Sequence, residues 1–359
     1  MKKGLTIVLC LVLVFSFAAC AQKEKATIAE IKVGVSMPTT SLQRWNQDGD
    51  NIKKQLEEAG YTVDLQYAGD NEIPLQIQQI EDMIADGCKI LIVAAIDANQ
   101  LSGPMTAAKE AGIPVISYDR LIMGTNAVSY YATFDNTKVG NLQGQAIVDA
   151  LDLENQAGPF HIELFTGDLA DNNVNFFFGG AMDVLQPYID SGVLVVPSEQ
   201  TTTALCATEN WNTEKSQERM EALIASQGYG PNGKKLDAIL SSNDSVANGI
   251  TNALVAAGYT EKNFPVLTGQ DCDITSVKNM IAGTQTMSVF KDTRILAEQT
   301  VKMVKAILEG EEVPVNDTTT YNNGTGIIPT FLCEPVPGNA SNYKELLIES
   351  GYYTEEQLG

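Results

Sequence analysis

The chain is poor in the side chains from which many enzyme centres are built. Among its 359 residues there is a single histidine, His161, and there are two tryptophans, Trp45 and Trp211. His161 lies within the apolar run Phe160–Phe165, which predicts a buried structural imidazole. Triads that need a histidine base and sites built from several histidines are therefore nearly excluded.

Cysteine is also scarce, and its spacing is uninformative about pairing. The six cysteines are Cys10, Cys20, Cys88, Cys206, Cys272 and Cys333. Cys10 and Cys20 belong to the N-terminal segment, and the other four form no Cys-x-x-Cys pair. Free or buried thiols are favoured over a zinc site, while disulfide pairing stays open.

Positive charge is limited, with 23 Lys and Arg against 45 Asp and Glu, so the formal net charge is −22. A protein of this charge repels nucleic acid and anionic lipid, and neither is expected as a partner. The sequence also lacks a glycine-rich phosphate loop of the G-x-x-x-x-G-K-[ST] or G-x-G-x-x-G type, which argues against nucleotide chemistry.

The longest apolar run is confined to the N-terminus. Lys2 and Lys3 precede an apolar segment from Leu5 to Phe17, and this segment is short for a membrane span. The tripeptide before Cys20 resembles a lipoprotein signal-peptidase site. Residues 1–20 are therefore predicted to be a lipoprotein signal peptide with lipidation at Cys20, and residues 21–30 a flexible tether. A plain secretory cleavage nearby is the alternative, with the same export but no anchor.

From Ile31 onward, apolar strand patterns alternate with amphipathic helix patterns joined by short connections. Alternation of this kind predicts an α/β fold with doubly wound parallel sheets. The pattern runs once to Phe134 and is then repeated from Phe160 onward. Two similar units in tandem predict two lobes with one cleft between them.

Polar residues follow the predicted strands of both units. In the stretch from Val266 to Arg294, Asp271 lies in the polar tip that follows one short apolar strand, and Lys291 comes directly after the next. The other such residues are Gln43, Arg44, Trp45, Asp119, Arg120, Asp168, Asp171, Asn172, Asn173, Asn243 and Asp244, with Trp211 in a connection before a helix. Ligands of parallel sheets bind beyond the carboxyl ends of the strands. Each residue alone is consistent with a solvated charge, a core anchor or a helix cap, but their coincidence favours a ligand site.

This set of side chains suits a sugar. Sugar hydroxyls donate and accept hydrogen bonds, and the C–H faces of a sugar stack on aromatic rings. A glycosidase that uses paired carboxylates such as Asp119 and Asp171 is the alternative. Arg44, Arg120 and Lys291 are expected to hold the carboxylate pKa values low, which favours recognition over proton transfer. The sequence thus predicts a binding protein rather than an enzyme.

Several motifs together resemble those of one family. They are Q-R-W-N-Q-D at 43–48, S-Y-D-R-L-I at 117–122, F-D-N-T-K-V-G at 134–140, D-N-N at 171–173, S-S-N-D at 241–244, G-Q-D at 269–271, A-G-T-Q-T-M-S-V-F-K-D-T-R at 282–294 and G-Y-Y-T-E-E-Q-L at 351–358. This chain resembles the periplasmic sugar-binding proteins of ABC importers, in the group of xylose-binding and multiple-monosaccharide-binding proteins. The resemblance extends from Lys32 to Leu358.

The resemblance implies a type I periplasmic binding protein fold with a monosaccharide held between the lobes. The implied ligand contacts are Arg44, Trp45, Asp119 and Arg120 on the first lobe, and Asp171, Asn173, Trp211, Asn243, Asp271 and Lys291 on the second. The ligand would be an aldose of the xylose, glucose or galactose type. Because Trp211 lies in a connection, its loss is expected to weaken sugar stacking and to leave fold stability nearly unchanged.

The resemblance also implies a domain division and partners. Three crossings, near Asp135, Lys291 and Tyr321, would divide the chain into a first lobe of residues 31–134 and 292–320 and a second lobe of residues 135–291 and 321–359. The partners would be an ABC permease and, in addition, a chemoreceptor or sensor kinase, with the protein itself a monomer. No calcium-loop pattern is present, so neither a metal nor another cofactor is expected. The export signal and the lack of an N-terminal helix-turn-helix argue against a repressor core of similar fold.

Overall fold

The computed structural model describes residues 31–359, so the predicted signal peptide, the lipidation site Cys20 and the tether lie outside the described residues. Strands and helices alternate along the described chain. The first part comprises β1 (Lys32–Met37), α1 (Gln43–Glu58), β2 (Thr62–Tyr67), α2 (Ile73–Ala85), β3 (Ile90–Val93), α3 (Ser102–Glu110), β4 (Val115–Tyr118) and β5 (Val128–Phe134). Every residue of β3 and β4 is buried, as expected for parallel strands covered on both faces.

The second part continues the alternation. It comprises α4 (Asn136–Leu151), β6 (Phe160–Phe165), α5 (Asn173–Asp190), β7 (Leu194–Val195), α6 (Thr203–Cys206), a 3-10 turn (Glu209–Trp211), α7 (Thr213–Gln227), β8 (Ala238–Ser241), α8 (Asp244–Ala256), β9 (Val266–Leu267), α9 (Ile274–Ala282) and β10 (Met287–Phe290). The remainder comprises α10 (Thr293–Glu309), β11 (Thr330–Cys333), β12 (Val336–Asn339), a π-helical segment (Lys344–Glu349) and α11 (Glu355–Leu358).

Two parallel sheets form the centres of the two lobes. The first sheet has six strands in the order β11-β5-β4-β3-β1-β2, and the second has the order β7-β6-β8-β9. A bridge between Gln270 and Val289 brings β10 beside the end of β9, and β12 pairs antiparallel with β10. The predicted α/β class with two doubly wound parallel sheets is confirmed.

One predicted boundary is wrong. The sequence motifs predict residues 321–333 as part of the second lobe, but β11 pairs with β5 in parallel, with Thr330 opposite Tyr131, and so belongs to the first sheet. The chain leaves the first sheet only after Cys333 and reaches β12 beside β10. The physical reason is that β5 would otherwise be an uncovered edge with unpaired backbone groups. A four-residue strand that closes this edge pairs with residues about 200 positions earlier.

Each lobe has its own apolar core, which holds the strand ends in place. In the first lobe Val35, Ile92 and Ile116 pack with residues of α1 and α10. In the second lobe Ile239 and Val246 belong to a core that also includes Trp211. The four cysteines of the described chain, Cys88, Cys206, Cys272 and Cys333, are buried free thiols. Within residues 31–359, no helix combines the length and hydropathy needed to cross a membrane.

Helices α4 and α5 cross at a point where their backbones touch. A Cβ atom added to Gly180 would lie 2.2 Å from the carbonyl oxygen of Thr137, and one added to Gly140 would lie 2.1 Å from the carbonyl oxygen of Phe177. Glycine at both positions therefore permits this approach. The close crossing brings Asn173, the first residue of α5, within 3.0 Å of the Asn136 side chain at the start of α4.

Gly180→Ala is expected to lower the free energy of unfolding by about 1–3 kcal/mol, because the added methyl group must displace backbone atoms of α4. The neighbouring Gly179 is a matched control, because its Cβ would meet no atom within 4 Å. Gly179→Ala is expected to raise the free energy of unfolding by up to about 1 kcal/mol through helix propensity. Denaturant titration of the two variants checks this, and equal changes of the same sign would contradict the close crossing.

Candidate functional site

A cavity lies where the carboxyl ends of both sheets face each other. It contains about 410 Å³ of space free of protein atoms, counted together with its mouth. The lining residues are Leu42, Arg44, Trp45, Asp119, Arg120, Asp171, Asn173, Phe177, Trp211, Asn243, Ser245, Gln270, Asp271, Asp273 and Lys291. All ten residues predicted to bind a ligand are among them. Their contact with a sugar stays a prediction, but the structure brings them to one place.

From its buried position on α1, the Arg44 guanidinium contacts three carboxylates. Its Nε donates to Asp48 Oδ2 at 2.9 Å and its Nη2 to Asp119 Oδ1 at 2.5 Å. Its Nη1 reaches Asp271 Oδ1 of the second lobe at 3.4 Å. Burial acts to lower the pKa of Arg44, but the carboxylates of Asp119, Asp48 and Asp271 outweigh it and raise this pKa well above its usual value. The guanidinium is a permanent cation shared by both lobes.

Lys291 forms the second buried positive centre. Its Nζ lies 3.0 Å from Asp271 Oδ1 and 4.0 Å from Asp119 Oδ1. Burial alone would raise the pKa of Asp119, but Arg44 and Lys291 together outweigh burial and hold this pKa below its usual value. Asp119 is therefore an ionised acceptor at neutral pH, as predicted.

The third positive centre is Arg120, which pairs with Asp171 across the cleft. Arg120 Nε lies 3.0 Å from Asp171 Oδ2, and Arg120 Nη1 donates to the carbonyl of Ala95 at 3.1 Å. Burial raises the pKa of Asp171 even though Arg120 opposes this effect. The prediction that the cations hold the carboxylate pKa values low is therefore wrong for Asp171, because burial is the larger influence there.

Two asparagines have structural bonds besides their place in the cavity wall. Asn173 Nδ2 donates to the carbonyl of Asp119 at 2.7 Å, and Asn173 Oδ1 accepts from the Tyr131 hydroxyl at 3.0 Å. Asn173 therefore ties the start of α5 to the first sheet. Asn243 Oδ1 accepts from the backbone N–H of Val246 at 3.0 Å and caps α8. Asn243 is thus held by its side-chain oxygen and also lines the cavity.

The two tryptophans supply apolar surface to the cavity. The Arg44 and Arg120 guanidinium carbons lie 5.3 and 5.0 Å from the Trp45 ring centroid, which is cation–π range. The Trp211 ring lies so close to Gly167 that a Cβ there would be 2.2 Å from it. Phe177 meets the Trp211 ring edge to face at 6.2 Å.

The burial of Trp211 corrects the expectation that it matters little for stability. The side chain is 4% exposed and belongs to the apolar core of the second lobe. It enters this core from the 3-10 turn at 209–211, where the backbone of Asn210 and Trp211 has positive φ. Trp211 is therefore both a core residue and a wall of the cavity.

Five cavity residues were not predicted from the sequence, namely Leu42, Phe177, Ser245, Gln270 and Asp273. Three of them lie close in the sequence to residues that were predicted. Phe177 is four residues after Asn173 and so lies on the same face of α5. Gln270 and Asp273 flank Asp271 in one loop.

His161 is partly exposed rather than buried as predicted, and its Nδ1 lies 2.9 Å from the carbonyl oxygen of Lys235.

Direct hydrogen bonds join the lobes around the cavity. The backbone N–H of Ala98 donates to the carbonyl of Ala170 at 2.9 Å. On the opposite side, Gln43 Nε2 donates to the Tyr353 hydroxyl at 2.7 Å, and this hydroxyl donates to the carbonyl of Cys272 at 2.9 Å. These contacts show the two lobes closed on each other. Such a closed, two-walled cavity at the strand ends defines a protein of the two-lobed ligand-binding class.

The chain belongs to the periplasmic binding protein family, because residues 33–312 match the sequence profile described as "Periplasmic binding protein domain". Among its relatives, the multiple sugar-binding periplasmic protein SbpA of Azospirillum brasilense is 50% identical over 92% of this chain and 93% of its own length. The multiple sugar-binding periplasmic receptor ChvE of Rhizobium radiobacter is 48% identical over 91% and 92%. The D-xylose-binding periplasmic protein of Escherichia coli (strain K12) is 35% identical over 99% of both chains.

Solved structures of solute-binding proteins are similar to this chain. A solute-binding protein of an ABC transporter from Clostridium phytofermentans with bound β-D-glucose superposes with a TM-score of 0.88, at 59% identity over 91% of this chain and 100% of its own. A carbohydrate transporter solute-binding protein from Chloroflexus aurantiacus in complex with D-glucose has a TM-score of 0.80, at 34% identity over 90% and 97% of the two chains. The type I fold expected from the sequence motifs is thereby confirmed.

Proposed function

We propose that this protein captures one monosaccharide, an aldose of the xylose, glucose or galactose type, between its lobes and delivers it to an ABC import permease. The observation that carries the proposal is the cavity closed by both lobes, with indole rings and charge-paired polar groups in its walls. The names of the sugar-binding relatives and the glucose bound in the related structures support it.

In this proposal the ten predicted residues divide into four roles. Asp119 and Asp271 accept hydrogen bonds from sugar hydroxyls, because their cation partners keep them in a fixed, charged orientation. Arg44, Arg120 and Lys291 donate to hydroxyl and ring oxygens. Trp45 and Trp211 stack on the C–H faces of the ring. Asp171, Asn173 and Asn243 hold the second-lobe wall and contact the sugar with the polar atoms that remain.

Capture rather than catalysis is the function that the sugar-binding relatives and the ion-paired carboxylates of the cavity favour. A glycosidase of the paired-carboxylate type needs one carboxyl that can give a proton to the leaving group. Asp119 has a lowered pKa and is ionised, whereas burial raises the pKa of Asp171 although Arg120 lies 3.0 Å from its carboxylate. Charge-paired groups such as these are suited to fixed recognition. The sugar should therefore leave the site chemically unchanged.

Location and release form the rest of the proposal. Export to the periplasm or cell surface follows from the periplasmic relatives, and attachment through lipidated Cys20 follows from the N-terminal motif. Labelling of the protein with a radioactive fatty acid tests the anchor, and this label should be lost in Cys20→Ser.

Hinge motion at the crossings between the lobes would open the cavity for transfer to the permease. Docking of a sensor on the closed form is the further partner expected from the family resemblance, and pull-down with and without sugar tests it.

Titration calorimetry with D-xylose, D-glucose and D-galactose tests the proposed function. At least one of these sugars is expected to bind with one-to-one stoichiometry, and a chelator should leave the affinity unchanged. Intrinsic fluorescence provides a second signal, because both tryptophans of the chain line the cavity. If none of the three sugars binds, the proposal fails. If aryl glycosides are hydrolysed, the glycosidase alternative replaces it.

A further inference from the structure

Asp273 is a cavity residue whose carboxylate is left unused by the protein. It occupies the N-cap position of α9, where an Asp side chain ordinarily accepts a hydrogen bond from the first turn of the helix. Here it makes no such bond. The residue is only 8% exposed, and among residues 31–359 its buried Oδ1 has no hydrogen-bond partner. The side chain lines the cavity instead of capping its helix.

The other three carboxylates of the cavity have cation partners. The closest N–O distance is 2.5 Å for Asp119, 3.0 Å for Asp171 and 3.0 Å for Asp271. In the described part of the chain no ion pair within 4.0 Å is found for Asp273. An ionised Asp273 sealed in a closed cavity would therefore be a buried charge without compensation, which is strongly unfavourable.

Both acidic groups and cations surround Asp273, and the acidic groups disfavour its ionised form. Its own loop contributes the Asp271 carboxylate and the Cys272 thiol, and α8 contributes Asp244, whose Oδ2 accepts from the backbone N–H of Asp273 at 2.8 Å. The hydroxyl of Tyr353 faces it from the C-terminal segment. The cations Arg44, from α1, and Lys291, from the end of β10, act in the opposite direction.

The balance of these influences favours the uncharged acid. Burial is the largest, the negative charge of Asp271 adds to it, and together they raise the pKa of Asp273 to about 7 against the opposing effect of Arg44 and Lys291. Burial, followed by the neighbouring carboxylates of Asp273 and Asp271, also raises the pKa of Asp244 well above its usual value. Cys272 and Tyr353 are neutral, since burial raises their pKa values.

We propose that Asp273 is a further ligand-binding residue, that it contacts the bound neutral sugar as the uncharged acid, and that sugar capture therefore takes up one proton from solution. The proposal rests on the proposed sugar-binding function. The acid O–H donates to a sugar oxygen, and the carbonyl oxygen of the acid accepts from a sugar hydroxyl. Gln270 Oε1, also buried and without a partner in the described chain, is a neighbouring acceptor in the same wall.

The pH dependence follows from the difference between the open and closed states. In a water-filled open cleft the pKa of Asp273 approaches the ordinary value of about 4, whereas in the closed cavity it is about 7. The closed state thus binds the proton more tightly. Affinity for a neutral sugar should be constant below about pH 4, fall by up to about tenfold per pH unit between the two pKa values, and level off above the higher one.

Calorimetry with D-glucose at pH 6, in buffers of different ionisation enthalpy, measures the proton uptake directly. Wild type is expected to take up close to one proton per sugar bound. In Asp273→Asn, which keeps the shape of the side chain but does not titrate, uptake should be near zero and the Kd nearly constant from pH 5 to 8. Asp183→Asn changes an exposed carboxylate on α5 and should behave as wild type.

The outcomes separate this proposal from the proposed function. If wild type binds none of D-xylose, D-glucose and D-galactose at any pH, the sugar-binding function itself fails. If wild type binds sugar with no proton uptake, only the role of Asp273 is overturned. Persistent uptake in a folded Asp273→Asn would assign the proton to another buried carboxyl, such as Asp48 or Asp171, and would also overturn it. Should Asp273→Asn fail to fold, the buffer series on wild type still decides whether a proton is taken up.

Discussion

Asp271→Ala is expected to weaken sugar binding by about 30-fold or more, which corresponds to the roughly 2–5 kcal/mol lost when one partner of a desolvated charged pair is removed. Asp271 Oδ1 lies 3.0 Å from Lys291 Nζ and 3.4 Å from Arg44 Nη1. Lys291 is only 2% exposed, so the ammonium group cannot recover its hydration after the carboxylate is lost. The substitution therefore removes the proposed acceptor for the sugar and leaves a buried cation less well compensated.

A double-mutant cycle shows whether Asp271 and Lys291 act together. The Kd for the best-binding sugar is measured for wild type, Asp271→Ala, Lys291→Met and the double variant, with the exposed Asp183→Ala as a control that should bind normally. The two single losses are expected to sum to more than the loss in the double variant, because each substitution alone leaves an unpaired charge. Additive losses would disprove the coupling. Wild-type affinity in Asp271→Ala would remove Asp271 from the ligand site.

Trp211→Ala is expected to affect both the fold and the ligand. The free energy of unfolding should fall by about 3–5 kcal/mol, the range for truncating a large buried aromatic side chain. Sugar affinity should fall by a further 1–3 kcal/mol or so through lost stacking. The ring has this double effect because it packs in the core of the second lobe, where it meets Phe177, and because it also lines the cavity.

Trp211→Phe separates the two effects, because phenylalanine keeps an apolar ring in the core but covers less of a sugar face. Denaturant unfolding and calorimetry are measured on both variants under conditions in which each is folded. Trp211→Phe should recover most of the stability and only part of the affinity. Unchanged stability in Trp211→Ala would show that the ring does not contribute to the core.

The location of the candidate site was predictable from the sequence because the relevant signals are local. Buried parallel strands appear as short apolar runs, and the polar residues that follow them must lie at the carboxyl edge of a sheet. This is why Asp119, Asp271 and Lys291 were placed together although they are far apart in the chain. The neighbours Gln270 and Asp273 were missed because the sequence of a loop does not show which of its polar side chains face the cavity.

The third crossing and the protonation of the site were decided only by the tertiary structure. Whether the short strand Thr330–Cys333 pairs with β5 or with the second sheet depends on which edge is open, and no pattern within four residues encodes that. A pKa depends on burial and on charges brought from distant parts of the chain. Asp119 and Asp171 each follow a strand and each lie near an arginine, yet their pKa values shift in opposite directions. The sequence by itself determined which groups gather at the cleft, and folding determined which of them remain charged, because only folding sets the distances and the exclusion of water.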